Sequence, residues 1–437
     1  MSAISPNSER LTRWWLRQVQ CALGWVVGAA SAGSWPEFRG PFGDGHADPS
    51  DGCRVPSVWS ESHHVRWKTP IPWRGWSTPV VQSGRVAVTT ATVDGHEFWA
   101  LCLDAATGQV LWQRQVFTCT NPEPLGNQLN SYASPSPLWC ADRLVVHFGS
   151  YGTAALDPVT GRTLWQRTDL PCRHYRGPGS SPIAYADLVI LTMDGVDVQY
   201  LVALDARTGE TKWTAPRTAE WNDLGPDGRP AHEGDLRKAF STPLVRPYEG
   251  RVQLWSVGAK AMYGYDPATG KELWKLAHPA YSAAARPVFG EGVLVVCPGP
   301  GRPEMWGVRP GQGSRPPELL WRRTRRAPHI PSPILVGRWL VAVTDDGTLF
   351  CLDPRTGTEH WSVRLGGTFC ASPVCLDGDR IVVGNVQGTM YVFRAGGQYL
   401  GLSTNRLDAG LMASPAVADG ALFLRTTSHL YRIEARP

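Results

Sequence analysis

Apolar residues along this chain come in short alternating runs that break at polar turns, the pattern of half-buried strands rather than of helices. One break is stereotyped. Ala203-Leu204 leads into Asp205, with Thr208 three residues on, Gly209 four on and Trp213 eight on. The same spacing recurs without slippage at Asp104-Thr107-Gly108-Trp112, Asp157-Thr160-Gly161-Trp165, Asp266-Thr269-Gly270-Trp274 and Asp353-Thr356-Gly357-Trp361. A worn copy, with the Asp lost and a short insertion, runs from Arg309 through Gly311 to Trp321. The residue types explain themselves. The Asp side chain accepts from the amides of its own turn, and Gly takes the positive φ that the turn demands. The return strand then delivers Trp to a fixed place, where a flat aromatic buries a large area between neighbouring units.

A second marker falls once per unit, a small residue or Arg before Pro at the start of an apolar strand: Thr78-Pro79, Ser134-Pro135, Ser181-Pro182, Thr242-Pro243, Arg286-Pro287, Ser332-Pro333, Ser372-Pro373 and Ser414-Pro415. Eight markers imply eight units. Their mean spacing of 48 residues is that of four-stranded propeller blades and exceeds that of leucine-rich or tetratricopeptide units. The eighth unit stops at Leu430-Tyr431-Arg432-Ile433 after three strands, while an orphan Val65-Arg66-Trp67-Lys68 precedes the first. Eleven residues separate Trp67 from Pro79, as they do Trp361 from Pro373. The expectation is therefore an all-β, eight-bladed β-propeller of four-stranded antiparallel blades, closed by an N-terminal strand in the last blade. Trp67, Trp112, Trp165, Trp213, Trp274, Trp321 and Trp361 are its docking residues.

Composition agrees with many strands and turns. There are 46 Gly, 37 Pro and 20 Trp in 437 residues. Arg10, Arg13 and Arg17 followed by an apolar run from Cys21 to Ala32, ending Ala30-Ser31-Ala32, read as a signal peptide over 1–32. An uncleaved anchor is the alternative, and nothing later is long enough to span a bilayer. Residues 33–58 read as an extended N-terminal segment and 59–437 as the propeller. Without 1–32 the charge is 40 basic against 37 acidic, so nucleic acid is not implied. The Arg322-Arg323-Thr324-Arg325-Arg326 cluster reads as a solvated loop. The ten cysteines include no adjacent pair, no C-x-x-C and no C-x-x-C-H, and Cys102 and Cys351 sit in apolar strands as buried thiols.

On its Ala-x-Asp-x-x-Thr-Gly-x-x-x-Trp motif the chain resembles the pyrroloquinoline-quinone-like (PQQ-like) repeat family over residues 59 to 433. It is also similar to a secreted bacterial subgroup of that family with no established activity. The similarity rests on Trp35-Pro36-Glu37-Phe38-Arg39-Gly40-Pro41, on Lys238-Ala239-Phe240-Ser241-Thr242-Pro243 and on the ending His429-Leu430-Tyr431-Arg432-Ile433. More distantly it resembles the outer-membrane assembly lipoprotein propellers, although no lipobox follows the apolar run. The resemblance implies a periplasmic or secreted location. It would also permit a PQQ-dependent dehydrogenase. Those relatives hold the quinone under an adjacent-cysteine disulfide and hold calcium with a Glu/Asn/Asp set, and neither feature is recognisable here. No catalytic residue, metal ligand or cofactor is assigned, and PQQ and calcium are unsupported.

Function is expected on the face opposite the Asp turns. Between docking Trp and next marker Pro lie 22 residues after Trp112, 16 after Trp165 and 29 after Trp213, against 11 or 12 elsewhere. Three consecutive long loops should build up one side of that face. Around this mouth stand Trp76, Tyr132, Arg176, Lys238, Phe240, Tyr281, Arg286, His329 and Phe369. They would either hold a planar, anionic or carbohydrate-like ligand or pack against one another to plug the channel. Asp194, Asp197 and Asp345-Asp346 read as turn residues. With no G-x-S-x-G, H-E-x-x-H or P-loop, the favoured expectation is a monomeric, non-catalytic binding or scaffold propeller that engages a peptide, envelope protein or glycan.

Overall fold

The structure, a computed structural model, describes residues 33–127, 129–300 and 303–435. The expected signal segment 1–32 lies outside them. Thirty-two strands, numbered in chain order, form eight four-stranded antiparallel sheets arranged as the blades of a propeller ring. The third blade shows the plan, with β10 (Ile183–Tyr185) innermost, then β11 (Leu188–Asp194), β12 (Gln199–Asp205) and outermost β13 (Thr211–Pro216). The two middle strands are the most apolar because both of their faces are covered by neighbouring blades. The eighth blade is β30 (Ala416–Ala418), β31 (Ala421–Arg425), β32 (His429–Ile433) and, outermost, β1 (Val65–Pro70) from the start of the chain. Trp67 pairs with Arg432 and Lys68 with Tyr431, so chain ends far apart in sequence close the ring.

The repeat motif acts between blades. Each Asp-Thr-Gly turn is held internally: in the second blade Asp157 Oδ1 accepts from the amides of Val159 (3.0 Å) and Thr160 (2.8 Å). The indole of the preceding blade lies against the turn and donates to the carbonyl just after its Asp, Trp112 to Pro158 (3.1 Å), Trp165 to Ala206 (3.0 Å), Trp213 to Pro267 (3.2 Å) and Trp321 to Pro354 (2.8 Å). Trp67 does the same to Ala105 across the closure (3.1 Å), and Trp361 bonds Gly396 (2.8 Å). Gly161 meets two demands at once. Its φ is +69°, and a Cβ there would stand 2.7 Å from Cδ2 of Trp112.

Two departures from the repeat are compensated. Where the fifth blade has lost its Asp, Trp274 instead donates to Gln253 Oε1 (2.8 Å), as does Trp255 (2.9 Å). The Gln253 amide passes the link on to the carbonyl of Gly311 (2.9 Å). In the seventh blade, Ser403 opposite Val392 occupies the docking place. There the N-terminal segment steps in. Ser403 Oγ and Asn405 Nδ2 donate to the Ser57 carbonyl, Asn405 Oδ1 accepts from Trp59 N (2.9 Å), and the Trp59 ring is buried in the apolar cluster shared by blades seven, eight and one.

One marker falls elsewhere than expected. In the second blade Ser136-Pro137, not Ser134-Pro135, immediately precedes the inner strand β6 (Leu138–Cys140) and matches the other seven. The loop after Trp112 is two residues longer in consequence. All cysteines among the described residues are free thiols, with Cys102 and Cys351 fully buried. No described helix is long and apolar enough to cross a membrane.

Candidate functional site: a cavity with one open mouth

Loops joining inner and outer strands gather on two opposite faces. On one face the hairpin after each inner strand sits beside the Asp turn, as the bond from Ala206 N to the Asp187 carbonyl (2.8 Å) marks. On this side residues 33–58 lie across the end of the channel. Trp35 exchanges backbone bonds with Val81 of the first blade (2.7 and 2.8 Å), and Pro36 accepts from Trp139 of the second. Gly45 and Ala47 pair with Cys375 of the seventh. The helical turn α1 (Pro49–Gly52) is capped by Asp48, and buried Asp51 accepts from Gly420 N of the eighth blade (3.1 Å). Arg39, with no exposed surface, donates to the carbonyls of Pro333 (2.8 Å) and Pro373 (2.6 Å), and burial pushes its pKa down to about 9. The segment is a plug built into the scaffold.

What remains open is a cavity of about 320 Å³ on the opposite face, lined from the plugged end by Phe38. Of the sequence candidates, Trp76, Arg176, Lys238, Phe240 and His329 line it. Four do not. Tyr132 turns into the core between the first two blades, edge-on to Phe98, with its hydroxyl on the Glu123 carbonyl (2.8 Å). Phe369 is fully buried beside Tyr391. Arg286 is drawn down to the plug, where it pairs with Glu37 (2.9 Å) and donates to the carbonyls of Pro243 and Phe38. Tyr281 stands behind Lys238, whose Nζ lies 6.0 Å from its ring and 5.7 Å from that of Tyr175.

The wall of the cavity is a ring of hydroxyls. At the residue before each inner-strand Pro, a backbone N–H donates to the hydroxyl of the next blade: Thr78 to Ser136, Ser136 to Ser181, Ser181 to Thr242, Arg286 to Ser332, Ser332 to Ser372 and Ser372 to Ser414, all at 2.9 Å. The relay fails twice. Arg286 offers no hydroxyl to Thr242, and the Thr78 hydroxyl, buried at the closure of the ring, has no partner. The ring therefore spends the hydroxyls as acceptors and leaves their protons unspent. The Ser/Thr-Pro repeat carried this signal in the sequence, but there it read only as a blade counter.

The cations of the mouth are unequally compensated. Lys238 is buried, which pulls its pKa down, and it is held by Asp235 at the end of the loop after Trp213. Arg176 rests over the ring of Tyr175 at 4.6 Å and has no carboxylate within 4 Å among the described residues. Behind the Trp76–Thr78 wall, buried Arg425 donates to the carbonyls of Ser77 and Thr89 (3.4 and 2.7 Å), and desolvation lowers its pKa to about 9. Among the described residues no Asp or Glu lines the cavity.

The family model for the outer membrane protein assembly factor BamB matches residues 50–173 and 261–405, more than half of the chain. The chain belongs to that family. No curated protein matches it in sequence. Among solved structures, BamB from Moraxella catarrhalis shares 14% identity at a TM-score of 0.58, covering 85% of this chain and 98% of that one. A europium-containing methanol dehydrogenase shares 11% at 0.67, covering 92% and 98%, and the quinohemoprotein alcohol dehydrogenase from Comamonas testosteroni 14% at 0.68, covering 94% and 82%. At such identities these structures share the fold with the BamB-family chain and nothing finer. The metal of the dehydrogenase type does not fit the cavity. Hard cations need several oxygen ligands, carboxylates foremost. Among the described residues this lining supplies hydroxyl and amide oxygens but no carboxylate, and no trio of His, Cys, Asp or Glu is placed to hold an ion.

Proposed function

We propose that this BamB-family propeller is a non-catalytic scaffold of the cell envelope, periplasmic or secreted, that binds a polypeptide partner at its open mouth. One observation carries the reading. The plug lies across the channel at the Asp-turn end, so the channel opens on the opposite face, which the three long loops after Trp112, Trp165 and Trp213 border. Exposed Leu129 in the cavity lining and exposed Leu224 on the longest loop offer apolar contact. The stretch 174–260, outside the family match, carries Arg176, the longest loop, Lys238 and Phe240, so the partner would differ from that of other members. Shortening the 214–239 loop tests this. Partner capture from envelope extract by the purified chain is expected to fall to background for the shortened variant, with the thermal midpoint unchanged. Undiminished capture would overturn the reading. In the dehydrogenase alternative, added quinone and calcium would support dye-linked alcohol oxidation; no rate above background is expected.

A further inference from the structure

We infer that the cavity beneath the mouth takes a carboxylate carried on an apolar body, an inference that rests on the mouth being the binding face. The reasoning is a count of donors and acceptors. Five lining hydroxyls, Ser136, Ser181, Thr242, Ser372 and Ser414, each accept a backbone N–H and donate to nothing among the described residues. The Thr78 hydroxyl and the Trp76 indole N–H have no partner among the described residues, but neither atom has surface open to the cavity. Five hydroxyl protons around one space without a protein acceptor among the described residues are costly to leave dry, and an acceptor-rich ligand relieves that cost.

Charge points the same way. Among the described residues Arg176 lines the cavity without a carboxylate, and Arg425 lies buried behind the wall with three backbone and hydroxyl acceptors but no counter-ion. An anion bound here meets low-dielectric walls, where charge-assisted bonds strengthen. Beside Asn127, Asn130, Ser134 and Ser282, the lining is apolar, with Phe38 at the floor and Phe240, Leu129, Ile330 and Met412 around the sides. Such walls suit a ring or branched chain better than a bare inorganic ion. The volume of about 320 Å³ matches a small organic acid or one residue at the end of a chain.

The probes are 3-phenylpropionate and its neutral isostere 3-phenylpropanamide, titrated into the full chain with the thermal midpoint and calorimetric heat as readouts. The acid is expected to bind saturably and the amide not. Arg176→Gln should weaken the acid about tenfold, the loss of one charge-assisted bond. Thr242→Val keeps the side-chain shape, removes one lining hydroxyl and serves if the first variant unfolds. N-acetyl-Gly-Gly-Leu as free acid and as amide separates the sources. Binding of the peptide acid places the carboxylate on a chain end, and binding of phenylpropionate alone places it on a small molecule. Equal binding of acid and amide, equal binding of inorganic phosphate, or no effect of either variant would overturn the inference. Partner capture that survives such a failure leaves the proposed function standing. Carboxylate binding without any partner sinks the proposed function instead.

Discussion

Replacing Gly161 by Ala should cost more than replacing Gly250 by Ala, although both glycines have left-handed backbones, at φ +69° and +81°. At Gly250 a Cβ meets nothing within 4 Å, so only the conformational penalty applies, about 1 kcal/mol. At Gly161 the Cβ would lie 2.7 Å from Cδ2 and 2.8 Å from Cε3 of Trp112, inside any real contact. The indole cannot swing away without losing its bond to Pro158, so an overpacking cost of about 1–3 kcal/mol adds to the first. Thermal midpoints of the two variants at one pH compare the costs directly. A Trp112→Phe background, with a smaller ring, should recover part of the Gly161→Ala loss, a coupling that a double-mutant cycle reads. Equal losses at the two glycines, or additive behaviour in the cycle, would refute the claim that close docking of indole on glycine cements the blades.

Other expectations follow from the same contacts. Gln253→Met strands two indole N–H groups and the Gly311 carbonyl in the fourth and fifth blades and should cost about 2–4 kcal/mol, which chemical denaturation measures. Asp104, Asp157, Asp205 and Asp353 accept hydrogen bonds from turn amides that hold their carboxyls below the ordinary value. Burial opposes this lowering, most at Asp205 and Asp353. Depressed carboxylates stabilise above their unfolded pKa and lose that contribution as pH falls through the folded one. The thermal midpoint should therefore drop on acidification below about pH 4, and Asp157→Asn should flatten part of the fall. Thiol titration with an aromatic disulfide should find exposed Cys53 reacting fast. Cys102, Cys351 and Cys370, whose pKa values burial pushes up to about 12, should react only on unfolding.

The ring was legible in the sequence because its physics is periodic. A turn that must be Gly under an indole writes the same four residues each time, and the orphan Trp67 strand could be placed because its distance to the first Pro repeats one found elsewhere. The plug was not legible. Trp35 meets the first blade, Arg39 the sixth and seventh and Asp51 the eighth, none at a repeating interval, so no period betrays them, and nothing near Ser403 says that Trp59 will fill its place. The same blindness explains the site. Arg286 carries a mouth-facing position in the repeat, yet Glu37 on the plug pulls it beneath the floor. Tyr132 is turned inward by Phe98 of the first blade and by Tyr151, which sits in a short helical turn peculiar to the second. Between Ser134-Pro135 and Ser136-Pro137 spacing alone cannot choose, whereas the hydroxyl relay accepts only Ser136.

Site-specific photo-crosslinking tests the central claim, that partners meet this propeller at its one open mouth. A photoreactive side chain placed at exposed Leu129 or Leu224 on the mouth loops, or at exposed Val159 in an Asp turn on the other face, is irradiated in envelope extract. Discrete adducts from the first two positions and none from Val159 are the expected result. Adducts from Val159 with none from the mouth would contradict the account.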